Sequence, residues 1–109
     1  MNLSYSLRHE SLVVTIAGRL DALSAEAAQQ ALLGHIAAGA SRLVVDASQL
    51  DYISSAGIRV LLVAAKAAGQ KPGGRFAVAA PTALVRKILA DCGLDTCLGV
   101  VADVTEAAG

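Results

Sequence analysis

The strongest constraint on this chain is the run Arg42-Leu43-Val44-Val45-Asp46, an unbroken apolar stretch of strand length that ends on a carboxylate. A strand without polar alternation is buried on both faces, which requires flanking strands and covering helices. The run therefore reads as a central parallel strand whose C-terminal end opens on a functional edge.

The flanking segments fit that frame. Asn2 to Leu7 and Leu12 to Ala17 read as strands, the second β-branched and continuous, with Arg8-His9-Glu10-Ser11 as a hairpin connection. Gly18-Arg19-Leu20-Asp21 breaks the pattern. A helix is expected over Leu23 to Ala38, with Ala28, Leu32 and Ile36 inward and Gly39 as its stop. Ser48 to Ser55 reads as a loop, and a helix from about Ala56 is expected to turn Ile58, Leu61, Leu62 and Ala65 to the core. Gly69 and Lys71-Pro72-Gly73-Gly74 close it. Arg75 to Ala79 reads as a strand, Pro81-Thr82 opens a helix with Leu84, Ile88 and Leu89 apolar, and Gly93 ends it. A strand at Leu98 to Val101 and a helical tail from Asp103 to Ala108 complete the order β-β-α-β-α-β-α-β-α. This predicts a single α/β domain over residues 1–109.

Composition narrows the function. Nine basic and nine acidic residues cancel, so the electrostatic footprint of a nucleic-acid or anionic-membrane binder is missing. The N-terminal residues lack the charged head and apolar run of a secretion signal, and the apolar stretch Val60 to Ala65 is far below the ~18 residues of a membrane span. A cytoplasmic location, with no membrane partner, is expected. Cys92 and Cys97, with only His9 and His35 as further soft ligands, do not make a zinc site and are expected to be buried or half-buried thiols. No metal or cofactor is expected.

Chemistry concentrates in Leu50-Asp51-Tyr52-Ile53-Ser54-Ser55-Ala56-Gly57-Ile58-Arg59, where two serines stand at the mouth of an amphipathic helix. Ser55, placed just before the first helical residue, reads as an N-cap, a role worth ~1 kcal/mol. The same position suits phosphorylation, because free N–H groups and the positive end of the helix dipole accommodate a phosphate of about −1.5 to −2 charges. Arg59, one turn on, is placed to pair with that phosphate or with a partner's carboxylate, or to serve as a solvated charge. Asp21 and Asp46 have turn and cap roles as their alternative.

Gly18-Arg19-Leu20-Asp21 and Leu50 to Leu61, in that order, resemble the early turn and the signature loop and helix of the STAS domain of bacterial anti-sigma factor antagonists. The resemblance spans essentially the whole chain. It implies the STAS fold, a mixed sheet of about five strands with helices mainly on one face, and a regulator that is not an enzyme. By the same resemblance Ser55 is the phosphoacceptor, Gly57 the helix glycine and Asp21 the acidic neighbour. Ser54 stands where many members carry Asp and Ala56 where they carry Ser or Thr, which leaves Ser54 a minor candidate acceptor. The implied partners are an ATP-dependent anti-sigma serine kinase, bound by the unphosphorylated form through a surface including Arg59 and Asp46, and a PP2C-type serine phosphatase. A monomer or weak dimer is expected.

Two alternatives remain open at this point. A response-regulator receiver would use Asp46 as its phosphoacceptor, but the acidic pair expected after its first strand is replaced by Gly18-Arg19-Leu20. A binding module that is never phosphorylated is the other. A serine hydrolase is disfavoured, since the chain has no Gly-x-Ser-x-Gly elbow.

Overall fold

Arg8 and Ser11 face each other across His9-Glu10, the turn that joins β1 (Asn2–Arg8) to the antiparallel β2 (Ser11–Leu20) in a computed structural model describing residues 1–108. His9 takes φ 57°, the left-handed conformation a tight hairpin requires. The remaining elements are α1 (Ala25–Ala37), β3 (Arg42–Asp46), β4 (Leu50–Ile53), α2 (Ser55–Gly69), β5 (Arg75–Ala79), α3 (Ala83–Asp91), β6 (Val100–Val101) and α4 (Val104–Ala108). The strand order is β1-β2-β3-β5-β6, and every pairing after the hairpin is parallel.

β4 was not expected from the sequence, which reads as a loop over Ser48 to Ser55. It forms because β2 runs ten residues, longer than its partner β3. Leu12 to Thr15 pair with β3, and Gly18 to Leu20 then pair with β4. The register shifts between Gly18 and Arg19, where Gly18 has φ 94° and its N–H donates to the Gln49 carbonyl at 3.0 Å. A residue with a Cβ is strained in that conformation, which explains the glycine of the Gly-x-Leu-Asp turn. β6, in contrast, is shorter than expected. Gly99 at φ 59° interrupts it: the Leu98 side chain is buried in the core, and the Val78 N–H of β5 is shared between the Leu98 and Gly99 carbonyls at 3.2 and 3.3 Å.

The central strands are buried on both faces, as their composition requires. Val14, Ile16, Leu43, Val45 and Val78 meet α1, α2 and α3 in the main core, whereas Val13, Val44 and Ala79 meet α4 in a smaller cluster on the opposite face. α1 buries Ala28, Leu32 and Ile36, the stripe expected from its spacing. It begins two residues later than expected, because Asp21 holds Leu23 in a preceding turn.

α2 is rotated from the face that the sequence suggests. It buries Gly57, Val60, Leu61, Ala64 and Ala68, while Ile58 and Ala65 are half-buried and Leu62 is 37% exposed. Small residues on the inner stripe let the helix lie close to α1 and the sheet, so proximity rather than side-chain size selects the buried face. α3 likewise buries Val85 and Leu89 and leaves Leu84 exposed.

Leu61 and Leu62 therefore separate the two orientations of α2. Leu61→Ala is expected to lower unfolding free energy by about 2–5 kcal/mol in urea titrations, and Leu62→Ala by less than about 1 kcal/mol. Equal losses would contradict the orientation described.

Candidate functional site

Pairing of Leu20 with Ile53 brings the ends of β2 and β4 side by side, so the residues that leave them, Asp21 and Ser54, depart from one edge. The Ser54 N–H donates to the Leu20 carbonyl at 2.9 Å, which fixes Ser54 in extended backbone (φ −96°, ψ 177°). The helix starts on the next residue. Ser54 is the N-cap: its Oγ accepts from the Gly57 N–H at 3.3 Å, and its carbonyl accepts from the Ile58 N–H at 2.9 Å.

This corrects the assignment of the cap to Ser55. Ser55 is the first helical residue and is exposed, and its hydroxyl makes no hydrogen bond among the described residues. Its N–H and that of Ala56 are among the unpaired donors that open every helix. Ser54, half-buried and engaged as the cap, is the less accessible hydroxyl.

Gly57 explains how the helix start comes so close to the strand. A Cβ at this position would lie 2.4 Å from the Leu20 carbonyl oxygen and 2.8 Å from Ile53 Cγ1. Any side chain there would lift the first turn of α2 off β2 and disturb the Ser54 contact.

Ser55 and Ala56 line a groove of about 480 Å³ together with Arg59 and Val60. The opposite wall comes from Ala25, Glu26 and Gln29 of α1. Arg59 is exposed and forms no ion pair among the described residues, so its guanidinium is available beside Ser55. Glu26 and Gln29 escape sequence reading. They belong to the polar side of α1, and only the docking of α1 against α2 selects them from its other polar residues.

Asp21 adjoins the site through the backbone, but its carboxylate serves its own turn. Oδ1 accepts from the Leu23 N–H at 3.1 Å and meets Ser24 Oγ at 3.4 Å, and Oδ2 lies 3.5 Å from Arg19 Nε. Partial desolvation pushes its pKa up, but the Leu23 N–H, the Arg19 side chain and the Ser24 backbone outweigh that effect and hold it below the ordinary 3.8. The ionised form is thus favoured on folding. Its stabilising contribution is present above pH 3.8 and is lost as pH falls through the lower folded value. Arg19 also stacks over Tyr52, 4.5 Å from the ring centroid, tying β4 to this turn. Leu23 in this turn is 97% exposed, a large apolar side chain that the sequence reading puts inside a helix.

Asp46 does not join this cluster. Thr15 Oγ1 donates to its Oδ2 at 3.3 Å and the Ser48 N–H donates to its Oδ1 at 3.0 Å, a turn-forming arrangement. By strand alternation it shares the α4 face with Val44, across the sheet from α2. Cys92 and Cys97 are both free and exposed, contrary to the burial expected of them. Among the described residues no three or more His, Cys, Asp or Glu gather as metal ligands, and no helix is long and apolar enough to cross a membrane.

The family model described as "Mlab, STAS domain" matches residues 3–102. BtrV of Bordetella bronchiseptica, provisionally named an anti-sigma factor antagonist, is 39% identical over 62 residues, 57% of this chain and 53% of BtrV. RsfB of Mycobacterium tuberculosis, named an anti-sigma-F factor antagonist, is 29% identical over 83 residues, 76% of this chain and 66% of RsfB. The chain thus matches between about half and two thirds of the length of these relatives. Among solved structures, the anti-sigma factor antagonist SpoIIAA from Bacillus is similar in two forms. The unphosphorylated form has a TM-score of 0.82 at 19% identity, covering 98% of this chain and 92% of SpoIIAA. The phosphorylated form has a TM-score of 0.74 at 19% identity, covering 98% and 96%. These likenesses carry the fold.

The two serines are separable by stability. Ser54→Ala is expected to cost about 1 kcal/mol through loss of the cap, and Ser55→Ala less than about 0.5 kcal/mol, by urea denaturation. A larger loss for Ser55→Ala would return the cap to Ser55.

Proposed function

The chain belongs to the STAS domain family, and on that premise we propose that it is an anti-sigma factor antagonist that switches partners through phosphorylation of Ser55. In this reading residues 1–109 act as one STAS domain in the cytoplasm, with no catalysis and no cofactor of their own. The unphosphorylated form binds an ATP-dependent anti-sigma serine kinase and releases what that kinase had sequestered. The kinase then phosphorylates Ser55 and the complex parts, and a PP2C-type phosphatase restores the hydroxyl.

One observation carries the proposal: Ser54 performs the capping, and Ser55 stands exposed on the same helical turn with its hydroxyl unused. A kinase can therefore reach Ser55 Oγ without breaking a bond that holds the fold. The new phosphate lies at the positive end of the α2 dipole with Arg59 one turn away, which lowers the cost of the added charge within the domain. A partner seated over the groove meets the opposite effect, since a neutral contact becomes anionic next to Glu26. Leu23, almost fully exposed two residues before the groove-lining Ala25, would provide apolar area for that partner. The switch thus acts on the interface rather than on folding.

Incubation with a cognate anti-sigma kinase and ATP, read by mass spectrometry, is expected to add one phosphate at Ser55 and none in Ser55→Ala. Ser55→Glu is expected to weaken kinase binding by about tenfold or more in calorimetry. Stoichiometric label at another residue, or unimpaired binding of Ser55→Glu, would overturn the proposal.

A further inference from the structure

A second cavity lies at the other end of the sheet from Ser55. It has a volume of about 880 Å³, is open to solvent, and sits between the β1–β2 turn and α4 at the N-terminal ends of the parallel strands. That volume is in the range of small-molecule sites.

Register creates its polar side. Arg42 opens β3, Arg75 opens β5, and the two are direct partners in the parallel ladder. By alternation both side chains share the face of Val44 and Ala79, the face that α4 covers only in part. Neighbouring strands lie about 4.8 Å apart, so two guanidinium stems rise side by side. Val44, Ala77 and Ala107 supply apolar lining between them and α4.

A second feature points independently to a ligand. Ser11, at the start of β2, lines the same cavity and is only 3% exposed, yet no hydrogen bond to its hydroxyl is found among the described residues. Among the described residues no fully buried side-chain oxygen or nitrogen lacks a partner, so the unpaired Ser11 hydroxyl retains some exposure, and the cavity that Ser11 lines is where we place it. A nearly buried hydroxyl without a protein partner is a donor held ready for something that enters.

The charges define what can enter. Arg42 is 3.7 Å from the well-exposed Glu10 carboxylate, and Glu106 accepts the Ala102 N–H at 3.1 Å. Arg75 has no ion pair among the described residues and remains the cavity's available guanidinium. A planar guanidinium fork takes two oxygens of a carboxylate or a phosphate alike, but Glu10 and Glu106 line the same cavity and offset the two arginines, so a single negative charge is accommodated better than two. We propose that this cavity binds a small organic monoanion, a carboxylate on an apolar body, with Arg75 holding the carboxylate, Ser11 donating to it and the Val44-Ala77-Ala107 lining receiving the body. The site is separate from the Ser55 groove and does not rest on the proposed partner switch.

The test is titration of the full, 15N-labelled chain with 2-naphthoate, followed by amide shifts. Saturable shifts at Ser11, Arg42, Arg75 and Ala107, with Kd below about 1 mM, are expected. Arg75→Gln, a change at an exposed position, is expected to weaken binding by about tenfold while its ligand-free spectrum overlays the parent's away from the site. Inorganic phosphate is expected to bind at least about tenfold more weakly than 2-naphthoate. Shifts that do not saturate, shifts centred on Ser55 and Arg59, unchanged affinity in Arg75→Gln, or phosphate binding as tight as 2-naphthoate would each overturn the proposal.

Discussion

The carbonyl of Leu20 is the point on which the start of α2, with Ser54 and Ser55, is built. It accepts the Ser54 N–H, and it is the atom that a side chain at position 57 would strike. These two facts are one constraint, since the first turn of α2 can reach β2 only if residue 57 has no Cβ. Once that contact is made, Ser54 is locked as extended, the helix begins on Ser55, and the capping hydroxyl is chosen. The β-bulge at Gly18 is the upstream half of the device, because it lets β2 leave β3 and continue beside β4.

Neighbouring hydroxyls consequently have different fates. The Ser54 hydroxyl is spent on the backbone, and the Ser55 hydroxyl faces solvent over a groove between two helices. Division of labour of this kind is what the proposed phosphorylation of Ser55 would need, a hydroxyl that can change charge while the fold persists. In the proposed switch, the helix terminus that would tolerate a phosphate would also present it to whatever docks above, so tolerance inside and repulsion outside would have a single source. The far end of the sheet is organised differently, by strand starts rather than strand ends. There two arginines and a sparingly covered sheet face leave a cavity rather than a groove.

Much of this was legible in the residues. The unbroken run Leu43 to Val45, the Ala28-Leu32-Ile36 stripe and the glycine at the end of α3 report directly on burial and backbone conformation, and each stands where local physics puts it. β4 was not legible. Leu50 to Ile53 is four residues long, and its strand character comes from the unused end of β2, a long-range pairing that local pattern does not contain. The inner face of α2 was misjudged for a related reason. Periodicity weighs Ile58 and Leu62 by their apolar size, whereas close packing selects Gly57, Ala64 and Ala68. The one-residue displacement of the helix start follows from the Ser54–Leu20 bond and altered the role of both serines. Glu26 and Gln29 became visible only when α1 docked.

The central claim is that position 55 carries a full phosphate while the Ser54 cap and the Leu20 anchor remain in place. Its most direct measurement is an amide NMR comparison of the unmodified chain with one carrying phosphoserine installed at position 55 during synthesis, alongside their thermal unfolding. The account predicts shifts confined to the first two turns of α2, the facing turn of α1 and the Asp21–Ser24 turn, with Gly57 N–H still protected from exchange and a midpoint within a few degrees of the parent. Shifts spreading through β3 and β5, loss of Gly57 protection, or a midpoint lowered by more than about 10 °C would contradict it.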